Sequence, residues 1–68
     1  MKNNKLLYNA LKSKYEAQKA SALATLDVYY KNAAGIGEHP QVVEEMAKQL
    51  ELLAAAEDCL GSLKRNFS

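Results

Sequence analysis

One cysteine, one histidine, one proline, three glycines and no tryptophan leave this 68-residue chain few of the devices that stabilise small domains. A lone cysteine rules out an internal disulfide, and no Cys/His cluster has the spacing of a zinc site. No stretch approaches the ~20 apolar residues that cross a bilayer. Behind Met1-Lys2-Asn3-Asn4-Lys5 there is no long apolar run and no small-residue cleavage site, so no signal peptide is expected. The expectation is a soluble, cytoplasmic chain with no membrane partner. A single histidine leaves no convincing Ser/His/acid set. Gly35-Ile36-Gly37 follows a helical pattern instead of a strand and lacks the third glycine of a dinucleotide fingerprint.

What is present reads as helix on both sides of one bend. Asn32 to Pro40 holds two of the three glycines and the only proline. Gly35 suits the left-handed position that closes a helix. Gly37 permits a second turn that a Cβ would resist. Pro40 suits the first turn of the following helix, where its missing N–H is no loss. Ile36 is expected to plug the end of the helix pair, and His39 or Glu38 to cap the second helix. The boundaries read as helix about 4–32, bend 33–39 and helix about 40–66, in one domain, with Asn3 or Asn4 as the first cap.

In the first segment Leu7/Tyr8, Leu11, Tyr15, Gln18, Ala22, Leu26 and Tyr29 recur in steps of three and four, the pattern of a face turned to a partner. The second segment carries Val42/Val43, Met46, Leu50, Leu53, Ala56, Leu60, Leu63 and Phe67 in the same way. Leu6, Leu23, Val28 and Tyr30 fall outside the narrow seam and widen the apolar surface beyond what one helix covers. With the bend near residue 36, positions whose numbers sum to about 72 face each other. Glu57 then lies opposite Lys14 or Tyr15, and Gln18 opposite Ala54; Glu57 is expected to pair there and fix the register. Gly61 reads either as a close helix contact near Tyr8 and Leu11 or as fraying of the last turns.

Ordering 68 residues costs on the order of 100 kcal/mol at roughly 1.5 kcal/mol each, more than one helix–helix seam offsets comfortably. Self-association is the remaining route. The fold expected is all-α: a two-helix antiparallel hairpin that dimerises, through an isologous two-fold, into a four-helix bundle. Its core and dimer interface are assigned to Leu7, Leu11, Tyr15, Leu26, Tyr29, Met46, Leu50, Leu53, Leu60 and Leu63. Charge favours such pairing. Six lysines against Glu16 and Asp27 give residues 1–34 a net +4, while three basic against six acidic residues give 35–68 a net −3.

Other chemistry is thinner. Glu38 with His39 would make an acid–base pair or half a metal site, but no second ligand stands at the right spacing. Cys59 follows directly on Glu57-Asp58, and these acidic neighbours oppose the thiolate a nucleophile needs. Tyr8, Tyr15 and Tyr29 follow the apolar stripe, which favours packing over base stacking. Lys2, Lys5, Lys64 and Arg65 come together at the termini end as candidate phosphate contacts, without an arginine cluster or a known DNA-binding motif. No cofactor, metal or catalytic residue is expected.

Gly35-Ile36-Gly37-Glu38-His39-Pro40, then Val42-Val43-Glu44-Glu45-Met46 and Ala55-Ala56-Glu57-Asp58, resembles short helical-hairpin proteins of marine tailed phages and ocean metagenomes. The resemblance runs from about Tyr8 to Leu60. It implies a small viral accessory protein in the host cytoplasm and brings no functional residues with it. The function expected is a non-enzymatic interaction module that partners with itself and with an undefined protein. A nucleic-acid-associated accessory role through the basic tip is the alternative.

Overall fold

The computed structural model describes residues 2–32 and 40–68, with side chains from 5 to 32 and from 41 to 68. Two helices make up almost all of it: α1, Lys2–Lys31, and α2, Pro40–Phe67. Among the described residues there is no strand. Asn3 and Asn4 lie inside α1 and so do not cap it from outside. Pro40 is the first residue of α2, the position where a missing N–H goes unnoticed. Gly35, Ile36, Gly37, Glu38 and His39 lie outside the described residues.

Neither helix interior contains proline, and alanine, leucine and lysine dominate α1, so propensity and pattern agree. At the end of α1 the backbone N–H and the Nδ2 of Asn32 both donate to the Val28 carbonyl, at 3.1 and 2.8 Å. One of the carbonyls that a helix end leaves over is thereby satisfied. Asp27 and Lys31 form the i,i+4 ion pair at 2.9 Å. Lys64 and Arg65 occupy the last turn of α2, where positive charge meets the negative end of the helix dipole.

The two helices run antiparallel. Gln18 meets Leu52, Tyr15 meets Cys59, and Leu7, Tyr8 and Leu11 border Leu63 and Phe67, so later positions of α1 face earlier positions of α2. The result is a rod of 53 × 15 × 13 Å. Its radius of gyration is 15.6 Å, against about 11 Å for a compact chain of this length. A rod has one seam to bury. Only Ala22, Leu26, Ala56 and Leu63 are buried among the described residues. Ala22 and Ala56, at 1% and 0% exposure, are the most enclosed. A side chain that small disappears only where the facing helix comes close.

Gly61 does not mark a close helix contact. A Cβ built there meets only the side chain of Arg65 on the same helix, 3.1 Å from a guanidinium nitrogen. That is the far end of a flexible chain and can swing away. The glycine therefore carries the helix-interior penalty without a packing reason. Gly61→Ala is expected to stabilise the protein by up to about 1 kcal/mol, read as a higher urea midpoint with unchanged slope.

Candidate interaction surface

Among the described residues one side-chain-to-backbone hydrogen bond crosses the seam. Gln18 Nε2 donates to the Leu52 carbonyl at 2.9 Å. This carbonyl belongs to a helix, so the amide takes up its second acceptor site and ties a fixed point on α1 to a fixed point on α2. The tie lies two residues from the Ala54 position expected to face Gln18. The carboxylate expected at the seam is elsewhere. Glu57 is exposed and takes part in no ion pair among the described residues, which pair Lys31 with Asp27 and Lys48 with Glu45. Cys59 stands beside Tyr15 instead: the pairs Tyr15–Cys59 and Gln18–Leu52 sum to 74 and 70 and so straddle the expected 72, and Glu57, next to the buried Ala56, is turned off the seam by its angle around α2.

Both members of the Tyr15–Cys59 pair are half-buried. The hydrogen bond to Cys59, then the charge of the thiolate as it forms, then burial, hold the Tyr15 phenol above its usual range. Lys14 Nζ lies 5.8 Å from the centre of the Tyr15 ring, and Lys5 Nζ 5.6 Å from that of Tyr8. Two lysines of the basic end thus rest over tyrosine faces. Lys64 and Arg65 are exposed, and the side chain of Lys2 is outside the described residues. Among the described residues no three His, Cys, Asp or Glu side chains gather where they could hold a metal ion.

The larger feature is apolar surface that nothing covers. Of the residues assigned to a core or dimer interface, Leu26 and Leu63 are buried. Tyr15, Tyr29, Met46, Leu53 and Leu60 are half-buried, and Leu7, Leu11 and Leu50 are exposed. Leu7, Tyr30, Val43 and Phe67 keep 70% or more of their surface in water. In total the chain exposes 5389 Å². A compact monomer of 7.5 kDa exposes about 4,200 Å². The excess, roughly 1,100 Å², exceeds the ~800 Å² that each partner buries in a standard interface.

Seven of the ten large apolar side chains exposed among the described residues fall in two patches, while Leu6, Val28 and Leu52 lie outside both. At the termini end, Leu7, Tyr8, Leu11, Leu63 and Phe67 line a groove of about 440 Å³. It continues along the same flank past Tyr15, Cys59 and Ser62. Across the seam, the opposite flank at that end is lined by Lys12, Glu16, Leu60 and Lys64 and is largely charged. Heptad spacing carries this second flank toward the bend. Glu16, Leu23 and Tyr30 form one row on α1, and Lys64, Glu57, Leu50 and Val43 form one row on α2. The charged flank therefore turns apolar in its bend half, where Leu23, Tyr30, Val43 and Leu50 are all exposed.

Leu23 and Tyr30 were outside the interface assigned from sequence, which followed a single stripe. The seven-residue rows that contain them were visible in the sequence. Which groove those rows border was not.

Compared with known proteins, the chain matches no family model, no curated protein and no solved structure.

Two outcomes test the seam. Gln18→Ala is expected to cost about 1 kcal/mol, seen as a lower urea midpoint, since it removes one interhelical hydrogen bond. Ultraviolet titration should find the Tyr15 phenol ionising later than the ordinary value of about 10, with Tyr15→Phe assigning it and Cys59→Ala lowering it. The folded state holds this proton more tightly than the unfolded state. Its contribution to stability is therefore complete below the unfolded-state value and fades as pH rises through the folded value.

Proposed function

We propose that the protein is a small non-enzymatic interaction module that works as a homo-oligomer. Its smallest assembly is two hairpins packed side by side as a four-helix bundle. One observation carries the reading: a 53 Å rod that leaves Leu7, Tyr30, Val43, Leu50 and Phe67 in water and exposes roughly 1,100 Å² more than a compact chain of its mass. Exposed apolar side chains gathered into patches mark association sites. A second copy is the partner always at hand, and two-layer helical folds reach a closed core by such pairing.

The resemblance to phage accessory proteins fits a role built on shape and assembly. The nucleic-acid reading has less behind it. The cations at the termini end, Lys5, Lys12, Lys14, Lys64 and Arg65, are exposed, but Glu16, Glu57 and Asp58 share that half and leave it at only +2.

Sedimentation and light scattering across a concentration series test the reading. The expected result is a mass above the monomer at micromolar concentration, with a thermal midpoint that rises with protein concentration. A compact monomer that melts cooperatively and independently of concentration would overturn it.

A further inference from the structure

The two apolar patches differ in position on the rod. The first, around Leu7, Leu11 and Phe67, occupies one flank at the termini end. The second, Leu23, Tyr30, Val43 and Leu50, belongs to the rows of Glu16 and Lys64, which border the groove across the seam, and it occupies the bend half. A two-fold contact joins one flank to the same flank of the partner. A two-fold contact through either flank would leave the other flank's patch in water.

Charge separates the two patches as well. Among residues with described side chains, the termini half (5–18 and 54–68) carries Lys5, Lys12, Lys14, Lys64 and Arg65 against Glu16, Glu57 and Asp58, five minus three, or +2. The bend half (19–32 and 41–53) carries Lys19, Lys31 and Lys48 against Asp27, Glu44, Glu45 and Glu51, three minus four, or −1. Pairing a patch with its own kind sets like charge on like charge. Pairing the termini patch of one copy with the bend patch of another sets opposite signs together. When the two rods lie antiparallel in full overlap, both halves of the interface match. The termini patch covers the partner's bend patch. The more polar half of the first flank, with Gln18 and Thr25, covers the charged rows of the partner's second flank. A flank of a rod 53 Å long and 15 Å wide is of the order of the ~800 Å² per partner in a standard interface.

We infer that self-association joins unlike flanks: the groove of Leu7, Leu11 and Phe67 on one copy receives the Leu23, Tyr30, Val43 and Leu50 patch of a second copy. This rests on the self-association reading above and sharpens it. A contact between opposite flanks is heterologous, so each copy presents a free patch on either side and assembly continues past the dimer.

Two double variants test it, Leu7→Gln with Phe67→Gln, and Val43→Gln with Leu50→Gln, all at exposed positions. The wild-type chain is expected to grow beyond a dimer as concentration rises. Each double variant alone is expected to be monomeric, or to lose helix if the hairpin needs its partner. Mixed in equal amounts, the two are expected to form a 1:1 dimer that stops there, with mass and circular-dichroism helix signal both recovered, because each supplies the patch the other lacks. A variant that still dimerises alone, a mixture that recovers nothing, or a wild-type chain that stops at the dimer overturns the unlike-flank contact and leaves self-association standing. A monomeric wild-type chain removes both.

Discussion

Two helices laid side by side share one seam, and a single seam encloses very little. In this chain the consequence is severe. Two alanines and two leucines account for the buried apolar residues described, while leucines, valines and aromatic side chains of the same helices face water. Everything else about the molecule follows from that shortage. The hairpin is too long to fold over itself and too narrow to form a second layer. Its apolar surface therefore remains on the outside of the rod.

The seam is specified by small and polar contacts more than by bulk. Ala22 and Ala56 let the helices approach, which a larger residue at either position would prevent. Gln18 then ties α1 to the backbone of α2 at Leu52. Apolar side chains alone tolerate sliding along a seam, whereas an amide bonded to one carbonyl does not. Tyr15 and Cys59 add a second, weaker marker of register nearer the termini. The Gln18 tie sits at the middle of the rod and the Tyr15–Cys59 pair in its termini half, where the two flanks differ most sharply, one apolar and one charged. Register and flank chemistry are thus coupled. A slip along the seam would mix the rows that keep the flanks distinct.

The distribution of charge acts on orientation and only weakly on strength. Exposed ion pairs such as Asp27–Lys31 and Glu45–Lys48 contribute a few tenths of a kcal/mol each. A difference in sign between the two halves of a rod is another matter. It is distributed along the long axis, so it discriminates between ways of laying two rods together even where no single pair is strong.

The amino-acid order alone decided the two helices, the side of each that is apolar, and the shortfall of core in so short a chain. These are local or additive properties: propensity, spacing of three and four, the concentration of glycine and proline at one place, and length. The pair of helices decided the rest. Sequence spacing put Glu57 at the seam, and the packed helices put Cys59 there, because matching positions along two helices does not fix the angle of each around its own axis, and Glu57 is turned to solvent. Leu23 and Tyr30 stood off the stripe in sequence, yet they lie in the same row as Glu16, and Val43 and Leu50 in the same row as Lys64. A one-dimensional pattern gives the angle of each residue around its own helix. Which groove that angle borders exists only once a second helix is set beside the first.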